Sequence, residues 1–400
     1  MTVAGGFLDA AIEIGLGLVR DAIWDDNVCV WLDWTGAESA TRFQSVDVSL
    51  YDGLAGIACF LAELAQASED RRMAETAAAA FRALVLRSQL PDGGPGKGLL
   101  PGRAGLGFAL FLGGRLLQDR ALMDAGLKIA AEFSDPDPTT EGIDLIEGSA
   151  GLGLAMLHLN LATGREAFAE SAALRSDLVT KTLRESGTGQ TGLSRGDAGL
   201  ILFLARMAER LPNDSFADEI GRALTFESKH RLPKEENWRD LRPGADDKDR
   251  EAPMWTWCHG APGIALSRLA LWPRRQEFSG VPQDLEWALR ATQRTLSERR
   301  FIETTSESLC HGRLGNALIL NHAGEVLDRA DLVAKARAAA DDAAQLILSA
   351  AEYRMGYGSE RINLGLMTGS SGAGMAFLFF AGHRSEFLSS LFLGCPGIVI

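Results

Sequence analysis

No basic excess marks this chain. Its 400 residues carry 53 Asp and Glu against 40 Lys and Arg, a formal net charge of −13. A nucleic-acid partner would call for a basic face, so none is expected. No uninterrupted apolar run reaches the ~18 residues that a membrane span requires. The first 20 residues have neither a positively charged start nor a cleavage-like site, so a cytoplasmic protein without a signal peptide is expected. Strand signals are nearly absent, the one alternating stretch being Val28 to Trp34. No phosphate-binding motif is seen. Cysteines are sparse and odd in number: Cys29, Cys59, Cys258, Cys310 and Cys395. In a reducing compartment that set points to free or metal-bound thiols rather than a disulfide framework.

Glycine, by contrast, is frequent and ordered. The pattern Gly, two residues, Gly, then an apolar run occurs seven times: Gly53/Gly56, Gly102/Gly105, Gly148/Gly151, Gly196/Gly199, Gly260/Gly263, Gly312/Gly315 and Gly369/Gly372. Such a repeat is the mark of a modular architecture. The runs that follow, such as Ile57 to Ala65, Leu200 to Met207 and Ala373 to Ala381, are apolar nearly all round. Each therefore reads as a helix buried on both sides. Between them lie segments of mixed polarity at Arg71 to Arg87, Asp119 to Phe133, Arg165 to Arg184, Asp284 to Arg299 and Asp331 to Ala351. These read as amphipathic helices with one wet face. Buried and amphipathic helices in alternation imply two concentric layers in an all-α fold. The seventh buried segment is as apolar as the middle ones, which favours a closed barrel over an open solenoid with polar capping repeats. One domain over 1–400 is expected, with 1–45 as an outer helix and lead-in and 46–385 as the seven repeats. The glycines would stand where each inner helix begins and backbones converge. Seven helix N-termini would then face one mouth, the place for a site.

Equivalent repeat positions should form rings at that mouth. Immediately before the first glycine stand Asp52, Pro101, Glu147, Arg195, His259, His311 and Thr368. One residue earlier stand Tyr51, Leu100, Ile146, Ser194, Cys258, Cys310 and Met367. Neighbouring repeats touch, so Cys258 and Cys310 should be close. Two thiolates and an imidazole suit zinc, whose catalytic sites keep three protein ligands and one open position. Cys258 and Cys310 with either His311 or His259 would supply three. Buried structural cysteines are the alternative, but two Cys-His dipeptides at matching positions exceed what a core needs. His158, His322 and His383 read as structural. The charged stretch from Lys229 to Trp255 reads as a solvated loop, or as a flap over the site.

The residues around the two cysteines resemble a known family. Trp257-Cys-His-Gly-Ala-Pro-Gly263 and Leu309-Cys-His-Gly-Arg-Leu-Gly-Asn316 look like the zinc-ligand motifs of lanthionine synthetase cyclases, and Tyr51-Asp-Gly-Leu-Ala-Gly56 and Gly365-Leu-Met-Thr-Gly-Ser-Ser-Gly372 fit with them. They are closer to the cyclase domain of class II lanthipeptide synthetases than to the stand-alone class I enzyme. The resemblance implies an α/α toroid of seven inner and seven outer helices, with Zn2+ on Cys258, Cys310 and His311. It implies addition of a peptide Cys thiol to dehydroalanine or dehydrobutyrine, giving (methyl)lanthionine thioethers. It implies a dehydrated precursor peptide as substrate. Since the residues before Ser45 are too few for a dehydratase, a separate dehydratase is expected as partner. Asp144 matches the family's acidic position near the metal.

The fourth repeat departs from the family. Arg195 stands where a His is usual, and an arginine stays protonated at ordinary pH. It can stabilise an enolate by charge, leaving His259 or a water to handle the proton, or it can simply pair with Asp144 or Glu147. A zinc-bearing scaffold that binds a precursor peptide or biosynthetic partners is the second reading. A glycosidase using Asp144 and Glu147 as paired carboxylates is the third, and it leaves the Cys-His pairs unexplained.

Overall fold

A computed structural model describes residues 3–35, 42–89, 96–136, 141–211, 216–243, 252–349, 355 and 363–395. The seven apolar runs form helices that begin directly after the first glycine of each repeat. They are α2 (Leu54–Ser68), α4 (Arg103–Leu116), α6 (Ser149–Thr163), α8 (Asp197–Ala208), α10 (Ala261–Ala270), α13 (Arg313–Leu327) and α15 (Ser370–Phe380). Every residue of α15, and α6 from Ser149 to Leu159, is buried, as expected of helices without a polar face. The five mixed-polarity segments form outer helices α3 (Arg71–Ser88), α5 (Arg120–Ala131), α7 (Glu166–Glu185), α11 (Val281–Ser297) and α14 (Ala330–Leu348), and α1 (Val3–Asp21), the expected outer lead-in helix, and α9 (Ala217–Lys229), which the sequence did not mark, complete the layer. These bury one face only; α5 buries Leu122, Gly126, Leu127, Ile129 and Ala130. Asp70 and Asp119 start α3 and α5 by accepting hydrogen bonds from the first free N–H groups.

The ring closes. Helix α15 packs against α13 on one side and against α2 on the other, and α1 covers α15 and α14 from outside. Among the described residues this is an α/α toroid of seven inner and seven outer helices, with a short α12 (Arg299–Thr304) between α11 and the sixth inner loop. The core is one continuous cluster running from Phe7 to Cys395. Among the described residues, strands are confined to three two-stranded hairpins: β1 (Ile23–Asp25) with β2 (Val28–Val30), β3 (Leu32–Thr35) with β4 (Arg42–Ser45), and β5 (Arg231–Leu232) with β6 (Asn237–Trp238). The alternating stretch Val28 to Trp34 falls on β2 and β3. No helix among the described residues is long and apolar enough to cross a membrane.

The glycines answer to crowding. The second glycine of each pair lies in the first helical turn, against the loop that precedes its own helix. A Cβ on Gly263 would overlap the Trp257 carbonyl oxygen and stand 2.7 Å from the Leu193 Cβ. Gly151, Gly315 and Gly372 face the equivalent carbonyls of Leu145, Leu309 and Leu366.

The barrel's far end is filled by a segment that the repeat pattern does not reach. Residues 385–395 enter between the C-terminal ends of the inner helices, with a π-helical turn at Leu388–Phe392. The inner helices grip it through polar side chains. Glu63 holds His383 and Ser385, Arg115 and His158 hold Glu386, and Arg206 donates to the Gly394 carbonyl. The Trp257 indole N–H donates to the Phe392 carbonyl at 2.9 Å, and the two rings stack 5.3 Å apart.

Candidate metal centre

The mouth is built from the loops that precede the inner helices. The fifth loop carries Cys258 and the sixth carries Cys310 and His311. Their donor atoms all lie within 4.8 Å of one another, and both thiols are buried. The Cys310 Sγ to His311 Nε2 separation is 3.9 Å. Around a tetrahedral zinc with Zn–S near 2.3 Å and Zn–N near 2.0 Å, that sulfur and nitrogen would stand about 3.6 Å apart, so the donor set fits the ion in type, number and spacing. His259 lies outside the group. Its Nε2 is 3.1 Å from Ser194 Oγ, and its buried Nδ1 has no hydrogen-bond partner among the described residues.

The charges of the cluster follow from its burial and contacts. Cys258 is held well below the ordinary thiol value, first by the Cys310 thiol donating to it and then by His311, against the opposing effect of burial. Cys310 is pushed well above it, by burial and then by the neighbouring Cys258. Burial would lower His311, but its hydrogen bond and charge contact with Cys258 outweigh that and raise it. Thiolates and a neutral imidazole are the forms that bind a metal, so loading such a set would release protons.

Other ring residues pair with their neighbours. Arg195 Nη2 donates to Glu147 at 2.7 Å, and Nη1 stands 3.5 Å from Asp144. The other oxygen of Asp144 accepts the backbone N–H groups of Ile146 and Glu147. Partial burial opposes the Arg195 charge, but the Glu147 hydrogen bond and the two carboxylates outweigh it and hold the guanidinium above its ordinary value. Asp52 accepts from the Thr368 N–H and hydroxyl.

Two groups escaped the sequence reading of the site. The Tyr51 hydroxyl donates to Cys310 Sγ at 3.0 Å. Tyr51 occupies the same ring position as the two cysteines, a signal that repeat alignment carried. The second is Arg242, bidentate on Asp240 and close enough to Cys258, His259 and His311 to act on their charges. No periodicity marks it. It belongs to the charged stretch, which is neither simply solvated nor a free flap where described. Asn237 and Trp238 are buried, and Asn237 Oδ1 accepts from the Ala261 N–H at the start of α10 while its Nδ2 donates to the Met254 carbonyl. Residues 244–251 lie outside the described part. All five cysteines are free and buried.

A family model described as lanthionine synthetase C-like protein matches residues 44–392. The chain belongs to this family. Among solved structures the toroid is similar to nisin cyclase, with a TM-score of 0.65 and 19% identity, covering 88% of this chain and 93% of that one. At that identity the likeness of this LanC-like chain to it is one of fold. Among curated proteins, the lacticin 481/lactococcin biosynthesis protein LcnDR2 of Lactococcus lactis subsp. lactis is 30% identical over 159 residues. That match takes in 36% of this chain but 16% of the relative's length.

Proposed function

We propose that this LanC-like chain is a zinc-dependent lanthipeptide cyclase that adds a peptide cysteine thiol to dehydroalanine or dehydrobutyrine. The observation that carries the reading is the convergence of Cys258, Cys310 and His311 at the mouth of a family toroid. These three residues would hold the metal, and zinc when bound supplies a thiolate nucleophile at neutral pH.

In the addition, the sulfur attacks the β-carbon of the alkene and a C–S bond forms. The π pair becomes an enolate, and the α-carbon takes up the proton that the thiol gave up. The product is a thioether of unchanged mass. Arg195 stays charged and, fixed by Glu147 and Asp144, offers positive charge where the enolate develops. It is no proton donor. His259 is suited to carry the proton, because its buried Nδ1 has no hydrogen-bond partner among the described residues. Asp144 positions Arg195. The alkene must be made beforehand by a dehydrating activity, which a separate dehydratase would supply.

One observation favours a second reading, a zinc-bearing scaffold that binds the precursor peptide or partner enzymes. Arg195 is tied to both acidic neighbours instead of a histidine standing free. The test is zinc content of wild type, Cys258→Ala and Cys310→Ala, followed by incubation with a dehydrated cysteine-bearing precursor peptide. One zinc per wild-type chain, lost in both variants, with disappearance of alkylatable thiol at constant peptide mass, is the expected result. Zinc without thiol loss leaves the scaffold. A folded wild type that takes up no zinc under metal-replete conditions refutes both.

A further inference from the structure

A belt of backbone hydrogen bonds runs round the mouth, two or three residues before the first glycine of each repeat. Tyr51 N–H donates to the Leu100 carbonyl at 3.0 Å, and Leu100 N–H to Ile146 at 3.0 Å. Leu145 N–H donates to Ser194 at 3.0 Å, and Ser194 N–H to Cys258 at 2.9 Å. Beyond the sixth repeat the belt resumes: Cys310 N–H donates to Met367 at 2.8 Å, and Met367 N–H to Tyr51 at 2.7 Å, which returns to the start. The accepting carbonyl stands two residues before the first glycine every time. Among the described residues, the link from the fifth repeat to the Cys310 carbonyl is the missing member of this series.

The fifth loop is also turned differently. Six of the seven first glycines have φ between −100° and −120°, whereas Gly260 has φ +92°. That left-handed conformation suits glycine. It folds the loop on itself, so that Thr256 N–H donates to the His259 carbonyl within the same loop. Asn237 then anchors the loop from outside, through the Met254 carbonyl and the Ala261 N–H. Loops five and six thus meet through side chains at this level, and those side chains are the two thiols. Lower down, α10 and α13 pack together and Asn316 reaches the Trp255 carbonyl, so the helices stay joined while the mouth has a seam.

We propose that Cys258 and Cys310, by sharing one metal ion, supply the seventh tie of the belt, so that the metal fastens the mouth of the barrel as well as serving the chemistry. This rests on the metal reading given above. A shared ion constrains two loops as a crosslink does, and the seam falls where the thiols already stand. Loading should therefore rigidify the mouth locally.

The test is hydrogen exchange on the full chain, zinc-loaded, chelated and reloaded, in a phosphine reductant so that a disulfide cannot stand in. Zinc content is measured on the same samples. Chelation is expected to speed exchange at the Thr256, Ser194 and Cys310 amides at least tenfold, to leave Leu100 and Leu145 across the barrel unchanged, and to reverse on reloading. Loss of one zinc per chain with no response at the seam, or with an equal rise all round the belt, overturns the inference alone. A chain that binds no zinc overturns the metal reading, and the seventh tie with it.

Discussion

Substituting alanine for glycine at two positions should have opposite effects, and the structure sets both. At Gly263 a new Cβ meets the Trp257 carbonyl oxygen and, at 2.7 Å, the Leu193 Cβ. Neither is the far end of a flexible side chain, so the loop must move. Overpacking of this kind costs about 1–3 kcal/mol, and contact with backbone places Gly263→Ala at the upper end. The displaced loop carries Cys258 one residue after Trp257. Metal affinity should fall about 10–100-fold, as it does when the support of a ligand is disturbed. At Gly221, inside α9, a Cβ meets nothing within 4 Å. There alanine removes only the freedom of the unfolded chain and should stabilise by about 0.4–1 kcal/mol. Urea denaturation of the two variants and wild type, followed by competition with a zinc chelator, reads both quantities. Equal urea midpoints for Gly263→Ala and wild type, or a midpoint lowered by Gly221→Ala, would show that the crowding at the inner helix starts is not what selects glycine.

Other consequences concern the frame behind the site. Arg268 on α10 is fully buried, bonded to Glu227 at 2.7 Å and to Asp284 at 3.1 Å. Arg268→Met leaves buried carboxylate behind and should cost about 3–5 kcal/mol, much of it recovered by adding Glu227→Met; urea unfolding of the single and double variants checks this. Burial, and then Arg206, depress His322 to about 4, below the unperturbed value near 6.5. A depressed folded-state pKa contributes stability that is present above the unfolded value and is lost as pH falls through the folded one. Falling from about 6.5 to about 4, the chain should lose on the order of 3 kcal/mol through this group. His322→Gln should flatten that part of a stability-against-pH curve, and an unchanged slope would contradict it.

Much of this fold is legible in the sequence alone. Seven glycine pairs, their first members 46 to 64 residues apart, carried the helix starts, because each inner helix meets the same crowding and only glycine relieves it. All-round apolarity separated inner from outer helices, because a helix buried on both sides has nowhere to put charge. Aligning the repeats brought Cys258 and Cys310 together across a gap of 52 residues, and the same alignment holds Tyr51, whose hydroxyl reaches Cys310.

Other features arise only when the chain is folded. The plug of residues 385–395 has no repeat to announce it, since its partners are single polar side chains on four different inner helices and Trp257 in the loop before a fifth. Arg242 comes near the cluster because Asn237 and Trp238 are buried within a stretch that its charge alone would leave in water. Whether Arg195 stands free or paired depends on where Glu147 and Asp144 come to rest, and they come to rest against it. The gap in the belt depends on one backbone angle at Gly260. Periodicity is local and repeats along the chain, but these contacts join residues whose separation follows no period, so the closed barrel alone decides them.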